Sequence, residues 1–182
     1  WSFVYERISR TNASGAEYRY KVEEEVPKDY RVSYSKDSDG NQVLLENVGD
    51  GSLTLTKEVT GSGGEPFREF HFTITVGTLP DGSKLPDGVY GEVSFRDGKA
   101  AITLKSGESV RADHLPGMVS YTVTEEEANL DRYRTTSEAD QGVIQPFAVT
   151  EVKFTNSRTS DDKDRPVKPS PANTTTTGYG PG

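Results

Sequence analysis

The sequence contains no cysteine, has a low share of apolar residues and lacks a long hydrophobic run. Without thiols, the protein cannot form disulfides, thiolate metal sites or a cysteine nucleophile. Hydrophobic residues make up 31% of the 182 residues, and no run approaches the ~20 apolar residues that a membrane-spanning helix needs. We therefore expect no membrane span in this chain. A small domain that lies outside a cell would need covalent reinforcement other than a disulfide.

Positive charge is scarce as well. The chain has 21 lysines and arginines against 29 aspartates and glutamates, which gives a formal net charge of -8. Nucleic acids and anionic membranes favour basic patches, so we expect neither as a partner. The two histidines, His71 and His114, belong to no ligand-spaced cluster, and no G-x-S-x-G motif accompanies them. The sequence therefore predicts no metal site, no cofactor and no enzyme that turns over a substrate.

Turn-forming residues and short alternating runs are abundant instead. The chain has 18 glycines, 10 prolines and 9 tyrosines, and no long stretch shows the 3.6-residue period of a helix. Such a composition is typical of short strands joined by turns. Six or more strands within about 110 residues predict an all-β fold, a β-sandwich. The strand-like runs are 51–59, 68–76, 91–104 (with Asp97-Gly98 as a hairpin signal), 118–125 and 148–156.

Three regions differ in composition. Residues 1–48 hold three strand-like runs, at 1–8, 18–26 and 42–48, with a turn at 37–41. Three strands are marginally stable alone, so we expect the C-terminal part of a truncated module. Residues 49–158 form a complete sandwich in this prediction. Residues 159–182 are polar and rich in proline and threonine, which predicts a disordered spacer.

A repeated pattern connects the first two regions. The stretches "YKVEE" and "YTVTE" each end with a glutamate, Glu24 and Glu125, and the stretches "VLLEN" and "VKFTN" each end with an asparagine, Asn47 and Asn156. Alternate residues of a strand share a face, so each of these four residues is predicted to face the core with its apolar neighbours. A lone inward charge is costly, so a repeated inward glutamate indicates a function.

The complete copy adds a lysine. In "LTLTKEV", Lys57 shares its face with Leu53 and Leu55, and first and last strands of a sandwich can lie side by side. Burial favours the neutral amine, which is a nucleophile, and the neutral carboxylic acid of Glu125. That acid can polarise the side-chain carbonyl of Asn156 and carry protons to departing ammonia. The predicted product is an intramolecular Lys57–Asn156 amide, formed once.

At these motifs the sequence resembles a known family. Residues 49–158 resemble the isopeptide-forming pilin and adhesin domains of Gram-positive surface proteins. Residues 1–48 resemble the end of a collagen-adhesin B-type repeat. The resemblance rests on "TLTKEV" for the lysine, "YTVTE" for the acid and "VKFTN" for the asparagine. The stretches "FHFTITV" and "HLPGMVSYTVTE" also resemble the family in their pattern of residues.

The resemblance implies roles for individual residues. It implies an immunoglobulin-like sandwich with an isopeptide bond between Lys57 and Asn156, and with Glu125 as the catalytic proton shuttle. In the truncated module it implies that Glu24 and Asn47 take the same parts, and that their lysine would lie upstream of the sequence. The implied protein is extracellular, on the bacterial cell surface. Its implied partners are neighbouring modules of the same chain and the cell wall, reached through a sorting signal that this sequence does not contain.

Simpler interpretations exist for each residue. Lys57 could bury its stem and keep its ammonium in water, Asn156 could begin a turn, and Glu125 could cap the following segment. Glu126 and Glu127 compete for the acid role. Only Glu127 has the same parity as Glu125, and it lies beyond the predicted strand. "VPK" at 26–28 is better explained as a turn lysine than as a linkage site.

Two function classes follow. The first is a structural stalk module of a cell-wall-anchored surface protein or pilin, stabilised by the Lys–Asn bond. The alternative is an adhesin domain that contacts a host extracellular ligand, protein or glycan, through loops such as 78–91, where Tyr90 is the one aromatic residue. A hydrolase is disfavoured because the parity of Glu125 places it in the core and not in an open cleft.

Overall fold

All regular secondary structure in the described residues is β-strand. The computed structural model describes residues 4, 6–36 and 43–161, and the prediction of an all-β chain is confirmed. Residues 126–129 form hydrogen-bonded turns. The strands are β1 Tyr30–Lys36, β2 Val43–Thr60, β3 Phe70–Val76, β4 Gly88–Tyr90, β5 Val93–Phe95, β6 Lys99–Leu104, β7 Ser109–Pro116, β8 Ser120–Glu125, β9 Arg134–Glu138, β10 Gln141–Val143 and β11 Val149–Ser157.

Two main sheets form the predicted immunoglobulin-like sandwich. One sheet has the order β1-β2-β11-β9, with β7 also pairing with β2, and the other has the order β10-β8-β3-β6. A short β4–β5 hairpin stands beside them. Within the first sheet, β2 and β11 are parallel neighbours over their whole shared length. The first and last strands of the sandwich therefore lie side by side.

The core lies between the sheets and follows the alternation of the sequence. In β3, the side chains of Phe70, Phe72, Ile74 and Val76 are buried, and the intervening residues are more exposed. Phe72 packs edge-on against Phe154 of the facing sheet, with ring centroids 5.3 Å apart. Alternating burial of this kind is what two packed sheets require, and it fixes the register of each strand.

The boundary predicted between residues 48 and 49 falls inside a strand. The runs 42–48 and 51–59 were expected to be separate, but β2 continues through both. Gly49 does not turn the chain there. A Cβ added at Gly49 would lie 2.1 Å from Cζ of Phe147, so the glycine is needed for close approach of this ring. The strand β1, which sequence analysis missed, pairs with the first part of β2.

The first 29 residues differ from the prediction. The run 18–26 forms no strand, and its Tyr20 and Val22 side chains are exposed. Apolar and polar residues do alternate in this run. Such a pattern forms a strand only where a neighbouring backbone offers hydrogen-bond partners. The described part of 1–8 also forms no strand. The turn predicted at 37–41 and residues 162–182 of the predicted spacer lie outside the described residues.

The strands of the sandwich were mostly predictable. The hairpin at Asp97-Gly98 is confirmed: both residues have positive φ, 53° and 73°, between β5 and β6, as a tight hairpin turn requires. Sequence analysis missed β4, β7, β9 and β10. Strands β4 and β10 have three residues each, and β9 is polar throughout. Neither length nor apolar alternation therefore marks these three strands in the sequence.

Truncation of a core side chain tests this packing. Ile74 is fully buried in β3, and we expect Ile74→Ala to lower the free energy of unfolding by about 2–5 kcal/mol, because it removes apolar contacts and leaves a cavity. Denaturant titration monitored by far-ultraviolet circular dichroism measures this change in the free energy of unfolding. Val89→Ala is the matched control: Val89 is 73% exposed, and its truncation should change stability by no more than about 0.5 kcal/mol. Equal effects of the two substitutions would contradict the described core.

Candidate functional site: a buried lysine, glutamate and asparagine

Lys57 lies in the core. On β2 the buried positions are Leu53, Leu55 and Lys57, in alternation with more exposed residues. The lysine side chain is 0% exposed, so its ammonium does not reach water along the surface. Its Nζ lies 4.2 Å from the ring centroid of Phe70 and 5.8 Å from that of Phe72. The amine therefore stands against aromatic rings of the facing sheet.

Asn156 is brought to the same place by the neighbouring strand. Because β11 runs parallel to β2, with Phe154 opposite Lys57 and Asn156 opposite Val59, the asparagine lies two positions beyond the lysine on the adjacent strand. It is 0% exposed. A lysine stem is long enough to cover that offset, so the two side chains can meet inside the sandwich.

Glu125 reaches this pair from the other sheet. It is the last residue of β8, where Tyr121, Val123 and Glu125 are the buried positions. Its Oε2 accepts a hydrogen bond from Lys57 Nζ at 2.9 Å, and its Oε1 accepts one from Asn156 Nδ2 at 2.5 Å. One carboxyl group thus bridges the amine and the amide, and the structure brings all three predicted residues together.

Burial and the carboxylate act in opposite directions on the amine. Burial lowers the pKa of Lys57, and the hydrogen bond and charge of Glu125, with a smaller contribution from the charge of Glu127, act to raise it. The pKa is lowered on balance. Removing two charges from water is costly, and a buried pair recovers this cost only with good geometry. The neutral form of the amine is therefore accessible here.

One atom of the site lacks a partner. Among the described residues, Asn156 Oδ1 is the only buried side-chain oxygen or nitrogen without a hydrogen bond. Buried carbonyl oxygens are normally satisfied, and an exception indicates a functional or strained position. Rotation of the amide by half a turn would exchange Oδ1 and Nδ2 and direct Oδ1 at the carboxyl group of Glu125. A protonated Glu125 could then donate a hydrogen bond to it.

The competing carboxylates lie elsewhere. Glu127 accepts a hydrogen bond from the backbone N–H of His71 at 2.9 Å, and its other oxygen lies 2.5 Å from Nδ1 of the same histidine. This contact raises the pKa of His71. Glu126 is exposed. Sequence analysis did not foresee the pairing of His71 with Glu127, because it depends on how the end of β8 folds back over β3.

The residues of the predicted first module form a looser contact. Asn47 Nδ2 donates a hydrogen bond to Glu24 Oε1 at 2.7 Å, which repeats the contact between Asn156 and Glu125. The expectation that both face a core is wrong for the described residues. Asn47 is exposed and Glu24 half-buried, because residues 18–26 form no strand and the described residues place no second sheet over this face of β2.

Other candidate sites receive no support from the geometry. His114 pairs with Asp29, Nδ1 to Oδ1 3.2 Å, on the surface. Across residues 4, 6–36 and 43–161, no three histidine or acidic side chains converge as metal ligands would. In the same residues there is no helix of the length and apolar character that crossing a membrane requires.

Comparison with protein families assigns most of the chain. Residues 51–158 match the family described as "Domain of unknown function (DUF7601)". Residues 1–47 match the Cna protein B-type domain. The DUF7601 match contains Lys57, Glu125 and Asn156, and the B-type match contains Glu24 and Asn47.

Curated relatives and solved structures are pilus proteins. A pilin of Streptococcus pyogenes serotype M1 is 28% identical over 152 residues, which cover 76% of this chain and 44% of the pilin. The pilus tip adhesin Cpa of Streptococcus pyogenes is 42% identical over 77 residues, 40% of this chain and 11% of the adhesin. A solved structure of the pilus-presented adhesin Cpa superposes with a TM-score of 0.52 and 28% identity, over 63% of this chain and 30% of that one.

The chain thus spans less than half the length of these curated relatives. The curated proteins and the solved structure that the chain resembles are a surface pilin and a pilus adhesin of a Gram-positive bacterium. The chain itself belongs to the DUF7601 family, whose model matches more than half of its residues.

Proposed function

We propose that this chain is a structural stalk module of a bacterial pilus or surface protein, stabilised by a self-formed isopeptide bond between Lys57 and Asn156. The observation that carries the proposal is the carboxyl group of Glu125, which contacts both the amine and the amide in a core without other charged side chains among the described residues. A structural or adhesive role on the cell surface agrees with the relatives. The covalent bond is our own inference.

The first step is a proton transfer within the buried pair. Lys57 as an ammonium and Glu125 as a carboxylate share one proton, which can move along the 2.9 Å hydrogen bond to leave a neutral amine and a neutral acid. Burial favours this neutral pair, since each charge is poorly solvated in the core. The neutral amine has the lone pair that attack requires.

The second step forms one bond and breaks another. The lone pair of Lys57 Nζ attacks Cγ of Asn156, while the protonated Glu125 donates a hydrogen bond to Oδ1 and polarises the carbonyl. Glu125 then passes its proton to Nδ2 and takes one from the attacking nitrogen. The Cγ–Nδ2 bond breaks, ammonia leaves, and an amide joins the two side chains. Glu125 ends as the neutral acid, because it keeps the proton that it took from Lys57 in the first step.

The fold supplies the proximity that this reaction needs. Parallel pairing of β2 with β11 holds the amine and the amide near each other in every folded molecule. Effective molarities of well-oriented groups reach ~10⁵–10⁸ M, which accounts for a reaction that amides do not undergo in free solution. Because the site is consumed by a single event, the protein is not an enzyme in the usual sense.

The position of the bond suits a protein under tension. Force that enters along β2 and leaves at the end of β11 loads parallel neighbours in shear. A bond between Lys57 and Asn156 would carry this force directly and shield the residues between them. The relatives imply an extracellular place at the bacterial surface. Anchoring to the cell wall through a downstream sorting signal is part of the proposal, as are contacts with neighbouring modules.

The adhesin alternative receives less support from the loop at 78–91. Leu85 is buried, and the Tyr90 ring packs edge-on against Phe95 with centroids 5.6 Å apart. The Tyr90 hydroxyl donates a hydrogen bond to the Pro86 carbonyl. The one aromatic residue of this loop thus serves its own packing, and it is not presented as a platform for a glycan. A host ligand elsewhere on the full-length protein is compatible with the stalk role.

We extend the proposal to the predicted first module. Glu24 and Asn47 make the same type of acid–amide contact as Glu125 and Asn156. We infer that Glu24 serves as the acid and Asn47 as the acceptor of an equivalent bond. Burial of this pair would have to come from residues other than those described.

Mass spectrometry tests the bond directly. We expect the intact mass of the folded chain to fall short of the sequence mass by one ammonia, because the reaction releases one. Glu125→Ala should restore the full mass, since the proton shuttle is removed. Glu126→Ala, a change at the exposed neighbouring glutamate, is the matched control and should keep the deficit. A full mass in the folded parent protein would refute the isopeptide proposal.

Stability provides a second test. The bond would close a loop of 99 positions, from residue 57 to residue 156. Loop-closure entropy alone gives about 4–5 kcal/mol for a cross-link of this length. We expect Asn156→Ala to lower the free energy of unfolding, measured by denaturant titration, by a similar amount. Val152→Ala, at a buried position of the same strand, should keep the mass deficit and lose less stability. A smaller loss for Asn156→Ala than for Val152→Ala would contradict the prediction.

The pH dependence of an uncrosslinked variant tests the burial of the amine. In Glu125→Ala, burial still lowers the pKa of Lys57, and the carboxylate that opposed this shift is gone. Between the lowered pKa and the ordinary value of 10.5, the unfolded chain binds a proton that the folded protein does not. The free energy of unfolding should therefore rise as the pH increases toward 10.5.

Urea midpoints measured across this range give the slope. The double variant Lys57→Met, Glu125→Ala is the control, because methionine fills a similar volume and does not titrate. Its midpoint should lack the additional rise seen in Glu125→Ala. Identical slopes in the two variants would show that Lys57 is not buried.

A further inference from the structure

A single arginine connects three strands where β1 and the first part of β2 meet the sandwich. Arg31 lies on β1, and its Nε donates a hydrogen bond to Asp50 Oδ1 on β2 at 2.9 Å. Its Nη2 donates to the backbone carbonyl of His114 on β7 at 3.1 Å. The side chain of Asp50 is only 11% exposed. A planar guanidinium fixes geometry as well as charge, because its donors have set directions.

Two aromatic rings close the same junction. Tyr30, beside Arg31, packs edge-on against Phe147, with ring centroids 5.2 Å apart. Phe147 stands over Gly49, where no side chain could fit beneath it. Its backbone N–H donates to the carbonyl of Asp50 at 2.8 Å. The loop before β11 is thereby attached to β2 and to β1.

A third set of contacts begins at Asp29. Its carbonyl accepts a hydrogen bond from the backbone N–H of Asp50 at 2.8 Å, and its carboxylate faces His114 Nδ1 at 3.2 Å. The chain that enters β1 is therefore held to β2 and to β7 before the strand begins. These contacts surround the stretch of β2 at which the sequence has two glycines, Gly49 and Gly51.

We propose that Arg31 locks the β1–β2 hairpin to the sandwich, so that the two parts of the chain move as one rigid body. Here the hairpin means β1 with residues 43–49 of β2. Glycines give the backbone its widest conformational freedom, and joined parts of a chain move relative to one another unless an interface prevents it. Without Arg31, the segment Gly49-Asp50-Gly51 would act as a hinge.

This lock is independent of the buried lysine. Arg31 contacts neither Lys57, Glu125 nor Asn156, and the isopeptide bond would tie β2 to β11 beyond the junction. A bond there stops the sandwich from unfolding but does not prevent bending at Gly49. A fixed angle between consecutive parts of a chain needs a separate device, and the contacts of Arg31 supply it.

Spin-label distances measure the proposed rigidity. The chain has no cysteine, so Leu44→Cys on the hairpin and Glu138→Cys on β9, both at exposed positions, give two unique labels. Double electron–electron resonance should yield a narrow distance distribution for the parent chain. Arg31→Ala should broaden it at least about twofold, as a released joint would. Arg96→Ala, at an exposed arginine in the β5–β6 turn, should leave the width unchanged.

A second variant, Arg31→Lys, and an intact-mass measurement distinguish failure of this proposal from failure of the isopeptide proposal. Arg31→Lys keeps a positive charge near Asp50 but loses the fork that reaches His114, so its distribution should be intermediate in width. If Arg31→Ala does not fold, this variant decides the matter. A width equal to that of the parent in either folded variant would overturn the proposal. The intact mass of Arg31→Ala should equal that of the parent apart from the substitution, whether or not the isopeptide bond forms.

Discussion

The parallel pairing of β2 with β11 is the constraint on which the site depends. It sets Asn156 two positions beyond Lys57 on the adjacent strand, with both side chains directed into the core. In a register shifted by one residue, one of the two side chains would face solvent. In the proposed stalk role, the same pairing would join the strand on which force enters the sandwich to the strand on which it leaves. The proposed chemistry and the proposed mechanical role therefore depend on one structural feature.

The facing sheet determines the surroundings of the buried amine. Phe70 and Phe72 from β3 exclude water from around the amine, and Glu125 from β8 enters as the one acid. A buried ion pair contributes little to stability, because the cost of desolvation offsets the attraction between the charges. The unpartnered Oδ1 of Asn156 adds a further cost. In the proposed product these costs are removed, since a neutral amide replaces the ammonium. This gives a reason for placing three polar groups in an aromatic core.

Continuity of β2 links this site to the rest of the chain. The strand begins beside β1 and ends beyond Lys57, so the hairpin and the sandwich share one backbone. A shared strand alone does not fix an angle where glycines occur. The guanidinium of Arg31 and the ring of Phe147 supply contacts on the flanks of that stretch. The proposed isopeptide bond and the proposed lock at Arg31 would thus act at different points along the same strand.

Strand parity determined much of this protein from its sequence. A period of two is enough to predict that Lys57, Glu125 and Asn156 face the core, because burial on one side forces the alternation. Parity could not tell which strands meet. The crossing of Glu125 from the opposite sheet, the exposure of Asn47 and the lock at Arg31 depend on contacts between residues far apart in sequence. Local pattern fixes the face of a side chain, whereas only packing of distant strands decides what that face meets.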